Sequence, residues 1–499
     1  MVNYNGHIKS PAPQGHFLRA RLAGCFGGRY MFYCREKELS KLNKRYYGNE
    51  FECIVIYGRR RVGKTALINE FCKDKPTVFF SALNSSAKEN LEMLSRTIYE
   101  FKNPGADSST APVYRDFDDA FAEITRLSEN DRLIFVIDEY PYLAKADNSV
   151  SSRLQHIIDH VWSKSKLFLI LCGSSMSFIE YQVLGYESPL YGRRTAQFKI
   201  QALTYKEITA FNPALSLEDQ ALLYGITGGI PHYINKLDVK NSIDDALLEN
   251  LFDSSAYLFE EPENLLKQEL REPATYNSII SAIAGGSSKL NEIATKSGIE
   301  TGVCAKYIKV LLDLGIVQKE TPLTEKSTKK TIYQIGDNFF RFWYRFVPIN
   351  MNAIISGRIE KTYPNTVRKY FSDYMGLIFE QMCKDYLLYY ADDLPFTLSD
   401  IGQWWGRDNA AKKEVQIDIV SASSDSCEYI IGSCKYKNEK IGVDELELLR
   451  HYASVFGKGS RYHYYIFSKG GFTDGLRELS NKGEVTLLTL EDIYRQPKK

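Results

Sequence analysis

Between residues 51 and 200 the chain alternates short apolar runs with stretches of helical period. The runs cover residues 51–57, 77–82, 133–138, 167–172 and 196–200. Their apolar residues are continuous rather than alternating, the mark of strands buried on both faces, so a parallel α/β sheet is predicted. Upstream, residues 1–30 carry neither period and read as a disordered leader, with Met31 as an alternative start. Regular structure is expected to resume in an amphipathic helix beginning near Arg35-Glu36-Lys37-Glu38-Leu39. From 203 to 262 the pattern turns helical. Residues 270–345 then read as three helices and a hairpin: 276–284, 290–294 and 304–314, followed by strand signals at 317–320 and 331–335. The hairpin turn, Lys326-Ser327-Thr328-Lys329-Lys330, is basic. This order is a winged-helix pattern, in which Lys306, Lys309 and the turn lysines are placed to meet phosphates; a protein-binding module is the rival reading. The aromatic run from Asp337 to Phe346 is expected to pack between domains. Residues 365–495 return to mixed α/β.

Composition bounds these expectations. The 499 residues suggest about three domains, each able to bury a core. Hydrophobic residues at 44% and charged residues at 25% exclude a mostly disordered chain. Lys and Arg number 63 against 62 Asp and Glu, a net charge of +1, so any nucleic-acid contact must come from local patches. Apolar runs fall far short of the ~20 residues of a membrane span, and no secretory start is evident. The nine cysteines are odd in number and never form CxxC, which fits reduced thiols and a cytoplasmic location.

The strongest chemical signal is Gly58-Arg59-Arg60-Arg61-Val62-Gly63-Lys64-Thr65, a GxxxxGK[ST] run after a buried strand, with Ala66 opening a helix. Glycines let backbone amides curl round a phosphate, Lys64 neutralises β/γ oxygens, and the Thr65 hydroxyl can hold magnesium. A second run, 133–139, delivers Asp138 to the magnesium shell and Glu139 to the attacking water. Adjacent acids there favour hydrolysis over simple binding. A third strand ends at Gly173-Ser174-Ser175, where Ser174 can sense the γ-phosphate. Arg193 and Arg194 stand where an arginine could stabilise transferring charge, with structural ion pairing as the alternative.

Residues 32–42, 57–65, 135–140, 172–175, 191–194 and Thr227-Gly228-Gly229-Ile230-Pro231 resemble the prokaryotic and archaeal P-loop ATPases of the AAA+/STAND kind, over residues 31 to about 240. Cys34 replaces the glycine usual in that family. The resemblance implies ATP and Mg2+ as cofactors, and a lid motif that brings Pro231 toward the adenine. It also implies a division into 31–202 (P-loop core), 203–265 (helical lid), 266–348 (winged helix) and 365–495.

The last segment resembles the PD-(D/E)xK nuclease core, with Glu380, Asp418 and Lys435 at matching positions. In that core Glu380 and Asp418 would hold a metal. Ser433 stands where the pattern requires an acid, and a hydroxyl supplies none of the missing charge, so the expectation leans against cleavage. His156 and His160 have helical i,i+4 spacing but lack a third metal ligand. Trp404-Trp405 reads as a core edge, and Cys434 as an inert buried thiol. The whole is expected to be an ATPase with a DNA-associated winged helix and nuclease-like domain. The alternative is a signalling switch whose last domain binds protein. An oligomer stays open, and no membrane association is expected.

Overall fold

The computed structural model describes residues 34–323 and 330–495. The leader, Met31 and the turn residues 324–329 lie outside the described residues. The chain forms two compact units: residues up to Tyr57 with Thr65–Phe198, and Gly58–Lys64 with Lys199 onward.

In the first unit, strands β1 (Glu52–Tyr57), β2 (Thr77–Ser81), β3 (Ile134–Asp138), β4 (Phe168–Gly173) and β5 (Ala196–Lys199) form one sheet in the order β2-β3-β4-β1-β5. The pairs β1–β4, β3–β4 and β2–β3 are parallel. Every residue of β1, β3 and β4 is buried. Strands β2 and β5 instead alternate in burial, against the expectation of two covered faces. They are the sheet's edges, where neighbouring strands and helices cover less of each face. Behind the sheet, Phe121, Phe135 and Trp162 meet edge to face, the Trp162 indole donating to Thr125 Oγ1 at 2.8 Å. Cys34 has φ +62°, a conformation that glycine adopts without steric cost. That accounts for the glycine usual there in the resembling family.

In the second unit, helices Leu217–Thr227, Pro231–Leu237 and Glu261–Glu269 come first. Gly228 ends the first of them in a left-handed turn. At Gly229, φ is +69° and a Cβ would stand 1.8 Å from the Leu203 carbonyl oxygen, so the chain can pass Leu203 only as glycine. Three more helices follow, Pro273–Ala284, Leu290–Ser297 and Thr301–Asp313, then an antiparallel ribbon of β6 (Val317–Glu320) and β7 (Ile332–Ile335). Lys306 and Lys309 are exposed on the third of these helices.

The aromatic run forms the Asn338–Ile355 helix. It is capped by Asp337, which accepts from the Phe340 amide at 2.9 Å, and it buries Phe339, Phe340, Phe342 and Phe346. Beyond it lie the helix Phe371–Tyr389 and a sheet of β8 (Asp400–Asp408), β9 (Lys413–Ala422), β10 (Glu428–Lys435), β11 (Arg461–Ser468) and β12 (Thr486–Thr489), in order β12-β11-β10-β9-β8. Strands β8, β9 and β10 pair antiparallel, β10, β11 and β12 parallel. Its core gathers Trp404, Ile417, Ile431, Leu446 and Phe456. Two buried hydroxyls tie the unit together: Tyr374 donates to the Gly225 carbonyl at 2.7 Å, and Tyr205 to the Ile493 carbonyl at 2.9 Å.

Candidate functional site

Within the first unit, the end of β3 and the start of the Lys64–Cys72 helix bring two oxygen donors together. Thr65 Oγ1 donates to Asp138 at 3.1 Å, and the other Asp138 oxygen accepts from the Glu139 amide at 3.0 Å. Asp138 is buried, whereas Thr65 and Ala66 are exposed. A hydroxyl beside a carboxylate is a donor set of the hard type magnesium takes. Glu139 has φ +50° and precedes the helix Tyr140–Ala146. Its carboxylate accepts from Ser174 Oγ at 3.0 and 3.2 Å and from the Ser174 amide at 3.4 Å. Ser174, expected to face a γ-phosphate, therefore holds Glu139 in place.

Arg193 grips Asp159 through two bonds of 2.8 and 2.7 Å and donates to the Tyr191 carbonyl at 3.0 Å. That pairing holds the Asp159 carboxyl below the usual range. Arg194 is half-buried before β5. His156 and His160 have ring centroids 4.5 Å apart. Among the described residues no three His, Cys, Asp or Glu side chains are grouped to hold a metal ion.

Within the second unit lie Gly58–Lys64. Gly58 has φ +151°, and a Cβ there would fall 2.3 Å from the Ile200 carbonyl oxygen. Val62 is buried, and Lys64, also buried, donates to the Arg59 carbonyl at 3.0 Å. A side chain on Gly63 would reach within 3.9 Å of Pro231 Cγ, so the Gly-Gly-Ile-Pro run does border the loop.

Each loop arginine pairs with an acid far along the chain: Arg59 with Asp337, Arg60 with Glu269, Arg61 with Glu261. Glu261 is 0% exposed. Burial opposes the Arg59 charge, but Asp337 outweighs it and holds the guanidinium more firmly protonated than usual. Arg61, at φ +70°, is further fixed by the Tyr233 hydroxyl at 3.4 Å and by the faces of Tyr233 and Tyr257, each 5.9 Å away. Beside it, burial first and then Arg61 and Lys236 push His232 down to about 4. The three acids carry no motif. Only Asp337, as the polar residue before an aromatic helix, left a local sign.

At the C-terminal sheet, Glu380 lies on the Phe371–Tyr389 helix, Asp418 on β9, and Ser433 with Lys435 on β10. Burial, and then Asp418, push Glu380 up to about 7. Asp418 accepts from the Cys434 amide at 2.9 Å. The acid absent at position 433 is replaced in space by Glu445, from the Val443–Phe456 helix, whose carboxylate accepts from Ser433 Oγ at 2.6 Å. The Lys435 ammonium lies 3.2 Å from Glu445 and 3.9 Å from Asp418. Spacing could not reveal Glu445, because the strand–helix connection between it and Ser433 has no fixed length. Burial and the Cys383 thiol keep Cys434 protonated, as expected of an inert thiol. Trp404 packs on Phe456 with ring centroids 5.4 Å apart.

Residues 32–237 match the model of an ATPase domain predominantly from Archaea, and residues 343–446 match that of a family of archaeal and bacterial proteins of unknown function. An uncharacterized protein of Methanocaldococcus jannaschii is 32% identical over 467 residues, covering 93% of this chain and 100% of that protein. An uncharacterized ATP-binding protein of the same organism is 46% identical over 48 residues, 10% of this chain and 81% of its own length. Among solved structures, a Walker-type ATPase of Pyrococcus abyssi aligns with TM-score 0.48 at 19% identity, covering 63% of this chain and 96% of that one. Among the described residues no helix is long and apolar enough to cross a membrane.

Proposed function

The chain belongs to one family with the uncharacterized Methanocaldococcus jannaschii protein it matches along its length, and its residues 32–237 match an archaeal ATPase domain; from that premise we propose a magnesium-dependent ATPase that transmits nucleotide state from its phosphate loop to the helices of the second unit. The observation that carries the transmission is the pairing of Arg59, Arg60 and Arg61 with Asp337, Glu269 and Glu261. A polyphosphate held by the loop competes with those carboxylates for the same guanidinium groups, which prefer phosphate and carboxylate geometry alike. Binding therefore alters contacts at both ends of the Glu261–Glu269 helix and at the cap of the Asn338–Ile355 helix.

In the reaction itself, Lys64 neutralises the β/γ oxygens and the loop amides cradle them. Glu139, steadied by Ser174, orients the attacking water. Arg193 or Arg194 meets charge developing on the γ-phosphate, Arg193 by leaving Asp159. Thr65 and Asp138 would hold magnesium, which neutralises phosphate charge when bound with the nucleotide.

The proposed partner of the second unit is DNA, met by a winged helix at 266–348 through Lys306 and Lys309, and by the nuclease-like domain at 365–495. Cleavage is not part of this reading. Glu380 and Asp418 stay the candidate metal ligands of this domain, but Ser433 leaves that set one carboxylate short, and the Lys435 ammonium lies against Asp418 and Glu445. ATP turnover assayed with single- and double-stranded DNA across a salt series tests the reading. Stimulation that falls as salt rises is the expected result. Turnover indifferent to every DNA would remove DNA and leave a protein partner in its place.

A further inference from the structure

The proposed transmission runs outward from the phosphate loop, and the β6–β7 ribbon gives it a return path. Of the three acids that hold the loop arginines, Glu261 and Glu269 share one helix, while Asp337 alone stands at the foot of the ribbon. Strand β7 ends at Ile335, and Gly336 is the one residue between that strand and Asp337. The amides of Gly336 and Asp337 both donate to the Ile316 carbonyl, at 2.8 and 3.3 Å, immediately before β6. A Cβ on Gly336 would stand 3.2 Å from Gln318 Cβ, so the connection already lies against the ribbon with no slack between them. From the other side, Arg341 Nε donates to the Ile335 carbonyl at 3.0 Å, with Nη2 on the same oxygen. Ribbon, connection and first helical turn therefore shift as one piece.

Asp337 divides its two oxygens within that piece. One caps the Asn338–Ile355 helix through the Phe340 amide, and the other pairs with Arg59. The Asp337 side chain is 1% exposed, so separating it from Arg59 leaves an uncompensated buried charge unless another anion meets the guanidinium. A polyphosphate on the loop supplies that anion. The ribbon is tied at its outer end as well. Past β6, the Leu323 amide donates to the Gln403 carbonyl on β8 at 2.8 Å, and Leu323 packs onto the core of the C-terminal sheet. A ligand spanning Lys306, Lys309 and that sheet thus pulls on the ribbon from both of its neighbours.

We propose that Asp337 couples two ligands: duplex DNA that shifts the ribbon draws the carboxylate from Arg59, and the phosphates of ATP take its place. Each ligand then meets part of the cost of binding the other. DNA tightens ATP and ATP tightens DNA by one and the same factor, on the order of five- to 150-fold. The coupling rests on the ATPase reading with DNA as partner, and it names the residue through which DNA regulates the loop.

Calorimetry on the full-length chain measures ADPNP binding with and without a short DNA duplex, and fluorescence anisotropy measures duplex binding with and without ADPNP. The parent should gain at least about fivefold in each direction. Asp337→Asn keeps a capping side chain and loses the ion pair. It should bind ADPNP more tightly than the parent when DNA is absent, and gain nothing further when DNA is added. Hydrogen exchange supplies an arm that needs neither DNA nor a variant: ADPNP alone should speed exchange at the Gly336 and Asp337 amides of the parent several-fold. Equal coupling in the parent and Asp337→Asn overturns the proposal, as does exchange at those two amides unmoved by bound ADPNP. If Asp337→Asn fails to fold, the exchange arm decides alone. A parent that binds ADPNP but no duplex loses DNA as its partner, and exchange still decides whether loop and ribbon are joined. A parent that binds no ADPNP overturns this coupling and the ATPase reading together.

Discussion

Glu139 carries the chemistry proposed here on a backbone that resists it. A non-glycine residue at φ +50° costs on the order of 1–3 kcal/mol, and such strain persists only where the surroundings over-determine it. The Asp138 oxygen on its amide and Ser174 on its carboxylate supply that constraint. Glu139→Gln should still bind ATP but turn it over at least about a hundredfold more slowly, in proportion to what a lost catalytic carboxylate removes. Equilibrium binding and single-turnover rates, measured side by side, check this, and Lys64→Ala should fail already at binding. Ser174→Ala should lower kcat and leave the KM for ATP nearly unchanged, since it positions Glu139 and not the nucleotide.

His232 offers a pH signature. Its folded value near 4 lies below the unfolded value of 6.5, so the unfolded chain binds the extra proton first. The parent should hold its full stability relative to His232→Gln above about pH 6.5 and lose it progressively as pH falls toward 4. Urea midpoints of the two chains across that window measure the difference.

At the scale of elements, the phosphate loop is the informative case. Its sequence announced the phosphate chemistry because glycine, lysine and threonine must recur at fixed spacing there. It gave no sign that its three arginines are paired, since Glu261, Glu269 and Asp337 lie some 200 residues and more away and their meeting depends on tertiary contact. The strands show the same boundary. Those at the centre, β1, β3 and β4, were legible as unbroken apolar runs, while the half-exposed edges β2 and β5 follow a different burial rule than the one their composition suggested.

The buried pair of Arg61 and Glu261 belongs at this scale too. Glu261→Ala strands a guanidinium and should cost roughly 3–5 kcal/mol, whereas the double variant Arg61→Met with Glu261→Met should recover much of that loss. Chemical denaturation of all four members of the cycle gives the coupling energy directly.

For the whole molecule, a net charge of +1 conceals charges that are spent internally. The loop arginines are matched to acids in the second unit, and Lys435 to Asp418 and Glu445. Glu445 also changes how an ancestral nuclease would be sought. Ser433→Glu alone would set two carboxylates against each other, because the Ser433 hydroxyl lies 2.6 Å from Glu445. The single variant should unfold earlier than the parent in a thermal melt. Ser433→Glu combined with Glu445→Ser should restore stability, and plasmid cleavage by that double variant in manganese would mark the domain as an inactivated nuclease.

The division of the chain bears finally on its synthesis. The loop that will meet the nucleotide emerges from the ribosome early, yet the residues that hold its arginines run to position 337, and the Tyr205 hydroxyl waits for the carbonyl of Ile493. A nascent chain can complete the first sheet while its phosphate loop is still unanchored. Competence to hold that loop in its final form is then reached late in translation, so a truncated product would carry the motif without the conformation.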